Sequence, residues 1–124
     1  MDKLRILIAE NNGLFRQTLK GSLQVSLPGV AIHEVADGRE VLEKIDILHP
    51  DLIFMDIRLP GENGLNLTKK IKAVHPDTKI FALTSYDIPE YREAAFKYGA
   101  DRFLAKTSLN PRELEELVKS CQKV

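Results

Sequence analysis

Leu52-Ile53-Phe54-Met55-Asp56 is the stretch on which the architecture of this chain turns. Its apolar residues follow one another without alternation, so no face of such a strand is left for water. That is the habit of a strand in a parallel sheet covered by helices on both sides. Ile6–Ala9 reads the same way. Working outward, strands are predicted at Leu4–Ala9, Ala31–Ala36, Leu52–Met55, Ile80–Leu83 and Phe103–Ala105. Ala31–Ala36 carries His33 and Glu34 and is therefore placed at a sheet edge, where charge is tolerated.

Helical periodicity fills the intervals. Phe15, Leu19, Leu23 and Leu27 form one stripe, ended by Pro28-Gly29. Val41, Ile45 and Leu48 form a second before Pro50, and Leu67, Ile71 and Val74 a third before Pro76. Tyr91, Ala95 and Tyr98 make a fourth, closed by Gly99 as a C-terminal cap. The last helix opens with Asn110-Pro111-Arg112-Glu113, a capping box with proline at the first helical position, and its stripe is Leu114, Leu117, Val118 and Cys121. The aromatics Phe54, Phe81, Tyr91, Phe96 and Tyr98 are expected in the core or half-buried. Strand and helix thus alternate five times, which predicts an α/β fold: a doubly wound five-stranded parallel sheet, flavodoxin-like, in the order 2-1-3-4-5.

Composition narrows the class of function. The 124 residues suit one domain spanning 1–124, with no linker, repeat or low-complexity tract to set off a second domain. Lys+Arg 18 balances Asp+Glu 18, so no electrostatic footprint points to direct nucleic-acid binding or to a membrane surface. A single cysteine, Cys121, excludes an internal disulfide and fits a reducing cytoplasm, where it serves as a packing residue. The start Met1-Asp2-Lys3 leads straight into a strand-like segment, which argues against a secretory signal. His33, His49 and His75 lack metal-ligand spacing and read as surface residues.

In a sheet of this winding, ligands sit beyond the carboxyl ends of the strands. Standing there are Glu10, Asn11 and Asn12 after the first strand and Asp56 after the third. Thr84 and Ser85 follow the fourth strand, and Lys106 the fifth. The set makes chemical sense for phosphoryl transfer to a carboxylate. An anionic nucleophile meeting an anionic group needs cations. Lys106 would supply one, a divalent ion held by oxygen ligands another, and the Thr84 hydroxyl a hydrogen bond. Each residue also has a plainer use. Asp56 and Thr84 could serve turns, Lys106 could be a solvated charge, and Glu10-Asn11-Asn12 could cap the first helix.

Over its whole length the sequence resembles bacterial response-regulator receiver domains. The resemblance rests on Leu4-Arg5-Ile6-Leu7-Ile8-Ala9-Glu10-Asn11, Phe54-Met55-Asp56-Ile57-Arg58-Leu59-Pro60-Gly61-Glu62-Asn63-Gly64, Ala82-Leu83-Thr84-Ser85 and Gly99-Ala100-Asp101-Arg102-Phe103-Leu104-Ala105-Lys106, which occur in the family's order and spacing. It implies Asp56 as phosphoacceptor, with Lys106 and Thr84 reading the phosphoryl group. It implies Mg²⁺ held by Glu10, Asn11, Asp56 and the backbone carbonyl of Arg58, and a switch formed by Thr84 and Phe103. Two departures stand out. Asn11 replaces the family's second acidic residue, so Mg²⁺ binding is expected to be weak. Thr107 stands where a proline, with its cis bond, usually follows the lysine. Thr107 and Leu14-Phe15-Arg16 look like receivers joined to helix-turn-helix DNA-binding domains.

The resemblance further implies a phosphorelay partner, a sensor histidine kinase or phosphotransfer protein, and a downstream effector domain or protein, with transcription as the regulated output. The chain is then no enzyme beyond its own Mg²⁺-dependent phosphorylation and dephosphorylation. A homodimer stays open. The alternative is a pseudo-receiver of the same fold, an interaction module that works without phosphate, and Asn11 is the residue that favours it. A flavodoxin-like enzyme or nucleotide binder would need a Gly-rich phosphate loop after the first strand, and Glu10-Asn11-Asn12-Gly13 is not one.

Overall fold

A computed structural model describes residues 3–121, so Met1 and Asp2, on which the expected N-terminal reading partly rests, lie outside the described residues. The strands are β1 (Arg5–Ala9), β2 (Ala31–Val35), β3 (Leu52–Asp56), β4 (Lys79–Thr84) and β5 (Arg102–Ala105). They alternate with the helices α1 (Gly13–Ser26), α2 (Val41–Leu48), α3 (Gly64–Val74), α4 (Pro89–Lys97) and α5 (Pro111–Lys119). A short 3-10 turn, Gly38–Glu40, precedes α2. Every strand pair is parallel and the order is β2-β1-β3-β4-β5, as the run patterns predicted.

The pleat divides each apolar strand between two cores. Ile6, Ile8, Leu52 and Phe54 pack under Leu19 and Leu23 of α1 and Leu114 and Val118 of α5. The intervening residues Leu7, Ala9, Ile53 and Met55 pack on the other face beneath α2 and α3. All eight strand residues are fully buried. Each large aliphatic side chain so buried contributes about 1.5–3 kcal/mol against exposure, which explains why the runs Ile6–Ala9 of β1 and Leu52–Met55 of β3 contain no polar residue, leaving Arg5 and Asp56 to the strand ends. Phe54 and Phe81 meet edge to face, with centroids 5.5 Å apart. A smaller cluster of Ile57, Ala82, Ala95, Ala100 and Phe103 seats α4.

The expected helix stops are realised. Gly99 takes φ 107°, a conformation that favours glycine, and Ala100 N–H donates to the Ala95 carbonyl at 2.9 Å. At the start of α5, Asn110 Oδ1 accepts the Glu113 N–H at 2.8 Å. The Glu113 carboxylate returns to the Asn110 side-chain amide at 3.5 Å, so the box closes side chain to side chain. Cys121 packs against the α1/α5 core, as expected.

Some expectations need correction. Phe96 is 45% exposed, because its neighbour Ala95 takes the inward position of α4 and the next residue lies about 100° around the helix. Val74 is 71% exposed: it ends α3, past the inward stripe of Leu67 and Ile71, where the chain is already leaving the sheet. β2 stops at Val35, and β3, β4 and β5 each run one or two residues beyond their apolar runs.

Candidate phosphoacceptor site

Three strand ends converge on one pocket. Glu10, directly after β1, is held by its own backbone: its N–H donates to the Val35 carbonyl at 3.0 Å, extending the β1–β2 ladder by one rung. Its side chain is only 1% exposed. Oε2 accepts the Asn12 N–H at 2.9 Å. Oε1 lies 2.7 Å from Lys106 Nζ. That approach is a charge contact without hydrogen-bond alignment, and Oε1 has no other partner. Burial pushes the Glu10 carboxyl above its ordinary value. Lys106 and the Asn12 N–H pull it back, and the neighbouring Asp56 adds to the push.

Asp56 closes β3 and is 6% exposed. Oδ1 accepts the Arg58 N–H at 3.0 Å, and Oδ2 lies 3.3 Å from Lys106 Nζ. Lys106 is fixed at the end of β5 by its N–H, which donates to the Thr84 carbonyl at 2.8 Å. Its ammonium stands between both carboxylates and 5.3 Å from the centroid of the Phe15 ring. One cation therefore serves two anions. The close approach of α3 to this strand end depends on Gly64, where a Cβ would stand 2.1 Å from the Asp56 carbonyl oxygen.

Thr84 ends β4, 1% exposed, but its hydroxyl is occupied by a turn. It donates to the Tyr86 carbonyl and accepts the Tyr86 N–H, both at 2.9 Å. The plainer use foreseen for this residue is the one the structure shows. Phe103 is paired in register with Ala82, two residues before Thr84, so the two side chains share a sheet face. Its ring is already buried against the α4 cluster, with the Arg92 guanidinium 5.1 Å from the ring centroid. Arg58 follows in the β3–α3 turn, and its exposed guanidinium stands 5.3 Å from the Tyr86 ring centroid. Asn11 is exposed at the pocket's edge. Asn12 caps α1, its Oδ1 accepting the Phe15 N–H at 3.0 Å. All peptide bonds of the described residues are trans, including the one after Lys106.

The donor set is of hard oxygens, and it contains a buried carboxylate oxygen that lacks an aligned donor. Such a set fits Mg²⁺ in kind, although among the described residues no three acidic, histidine or cysteine side chains gather as a ready-made cage.

Sequence reasoning missed Arg16. Its Nη1 donates to the Glu10 carbonyl at 2.7 Å, and its Nε donates to Glu34 Oε1 at 3.1 Å. Gln17 and Lys20 bind the same carboxylate at 2.9 and 3.0 Å. Only the β1–β2 pairing brings Glu34 beside α1, so residue spacing held no signal for this contact.

The model of the response regulator receiver domain matches residues 6–119. The chain belongs to that family. Among curated relatives, this receiver is 34% identical to the oxygen regulatory protein NreC of Staphylococcus carnosus, over 85% of its own length and 49% of that protein's. It is 30% identical to the transcriptional regulatory protein DegU of Brevibacillus brevis, over 85% of this chain and 44% of that protein. The receiver thus spans about half the length of the curated relatives it matches. Among solved structures, a CheY-like receiver domain from Methanospirillum hungatei superimposes with a TM-score of 0.87 at 29% identity, covering 96% of this chain and 93% of that one. Among the described residues no helix is long and apolar enough to cross a membrane.

Proposed function

We propose that this receiver accepts a phosphoryl group on Asp56 from a histidine kinase or phosphotransfer protein. The observation that carries this reading is Lys106 Nζ standing 3.3 Å from Asp56 Oδ2 and 2.7 Å from Glu10 Oε1 in one pocket at the strand ends. In the transfer an Asp56 carboxylate oxygen forms a bond to phosphorus while the bond from phosphorus to the donor breaks, leaving an acyl phosphate. The Arg58 N–H orients Asp56 through Oδ1. Lys106 then pairs with a phosphoryl oxygen. Glu10, Asp56 and the Arg58 carbonyl are the groups that would hold Mg²⁺, with the Asn11 amide as a neutral fourth donor. The ion would neutralise charge between nucleophile and phosphoryl group.

Output follows from Thr84. To donate to a phosphoryl oxygen its hydroxyl must release the Tyr86 carbonyl, which loosens the β4–α4 turn beside the Phe103 cluster. That biases a two-state surface of α4, β5 and α5. Residues 1–124 act as one phosphoacceptor unit, read by an effector domain or partner protein whose task is control of transcription.

One observation favours the phosphate-independent alternative: with Asn11 neutral, Lys106 stands closer to Glu10 than to Asp56. Intact-mass measurement after incubation with a small-molecule phosphodonor and Mg²⁺ separates the two. A single phosphate on the wild type and none on Asp56→Asn supports the switch. An unmodified wild type supports the interaction module.

A further inference from the structure

We infer that Arg16 is a positioning residue for the metal-binding loop, and that Glu34 on the edge strand holds it in place. The inference rests on the Mg²⁺-dependent reading of the pocket given above. Glu10 is fixed at its N–H by Val35 and at Oε2 by Asn12. The remaining backbone freedom of Glu10 lies in its carbonyl, and the Arg16 guanidinium takes that oxygen at 2.7 Å. A rotation of the Glu10–Asn11 peptide would change the placement of Asn11 relative to Glu10, the two residues expected to face a cation, and would disturb the Asn12 N–H that holds Glu10 Oε2. Arg16 opposes that rotation from outside the pocket.

The guanidinium is itself constrained. Its Nε reaches Glu34 Oε1 at 3.1 Å, and the pair is only about one-fifth exposed on each side, 21% and 21%. A planar fork suits this task, because one group can hold a carbonyl and a carboxylate at fixed angles where an ammonium cannot. Lys20 satisfies Glu34 Oε2 at 3.0 Å, and its ammonium makes no hydrogen bond or ion pair with Glu10. The network therefore runs from β2 through α1 to the loop, and it gives a use to a charged residue in a strand. Groups that orient metal ligands from behind cost roughly 10–100-fold in metal affinity when removed. Here the constraint acts through a backbone carbonyl, so the lower end of that range is expected.

The test is a Mg²⁺ titration of the whole chain, without phosphodonor, followed by amide NMR shifts of the β1–α1 loop. Arg16→Ala is expected to weaken Mg²⁺ binding about tenfold, and Glu34→Gln to weaken it less and in the same direction. Arg16→Lys restores only part of the affinity. Lys20→Ala, which removes the other large cation at Glu34, leaves affinity unchanged. Thermal unfolding identifies any variant whose loss of binding reflects loss of fold, and Glu34→Gln then carries the test alone. Wild-type affinity in folded Arg16→Ala, or in Glu34→Gln where that variant carries the test, overturns the inference, as does an equal loss in Lys20→Ala. Because the titration involves no phosphate, failure of Asp56 to accept a phosphoryl group leaves the result interpretable. A wild type that binds no Mg²⁺ would overturn this inference together with the metal reading.

Discussion

Replacing Lys106 with methionine keeps the apolar stem and removes the ammonium from between two buried carboxylates. The distances are 2.7 Å to Glu10 Oε1 and 3.3 Å to Asp56 Oδ2. At an effective dielectric of about 20 these correspond to gross attractions of about 6 and 5 kcal/mol. Desolvation of the three groups offsets most of that sum, and breaking a buried pair typically costs ~3–5 kcal/mol. The Lys106 side chain is 12% exposed, so water reaches the rim and the lower value, about 3 kcal/mol at pH 7, is expected. The pH dependence has a definite sign. The folded Glu10 carboxyl already lies above its ordinary value of 4.5, chiefly through burial. A carboxyl shifted upward contributes stability that is full below the unfolded value and lost as pH rises through the folded one. Without Lys106 the shift grows, so the penalty in Lys106→Met is largest at neutral pH and shrinks as pH falls toward 4.5. Urea unfolding with a chelator present, at several pH values, reads both quantities. A neutral-pH difference below about 0.5 kcal/mol would show that the pair behaves as a solvated surface contact. A difference that stays constant on acidification would assign the effect to packing and refute the electrostatic reasoning.

Three further perturbations probe the same pocket. Asn11→Asp adds a charge beside the expected ion and should tighten Mg²⁺ binding by about 1–4 kcal/mol in a partly solvated site, measured by titration; equal affinity would mean that Glu10 already compensates. Thr84→Ala should leave phosphorylation of Asp56 possible while reducing the phosphate-induced amide shifts across α4, β5 and α5; shifts of full wild-type size would break the proposed coupling. Gly64→Ala should destabilise the fold by about 3 kcal/mol in denaturant melts, because the added methyl would sit 2.1 Å from a backbone oxygen that cannot swing aside. A neutral effect would mean that α3 can retreat from β3 at little cost.

The sheet and three of the pocket residues were legible in the sequence for one physical reason. Buried parallel strands are continuous apolar runs, and their winding fixes which chain segments end on the same edge. Glu10, Asp56 and Lys106 could therefore be placed together from strand ends alone, and the structure brings them within ion-pair distance. Side-chain choices within a turn were not legible. For Thr84 a phosphoryl contact and a turn were both open from the sequence, and the Tyr86 backbone, which offers the hydroxyl both a donor and an acceptor, selects the turn here. Arg16 and Glu34 lie in different elements, and neither belongs to a periodic pattern that joins them. Phe96 and Val74 show the complementary failure, where an apolar residue was assigned inward although the helix stripe had already been completed by Ala95 and Ile71.

The central claim is that Asp56 forms an acyl phosphate, and chemical trapping tests it most directly. Borohydride reduces an acyl phosphate to the alcohol, so phosphodonor-treated protein should yield homoserine at position 56 in its peptide map, and Mg²⁺-free controls much less. Aspartate recovered unchanged at position 56, with phosphate found instead on Thr84 or Ser85 or on no residue at all, would contradict the account.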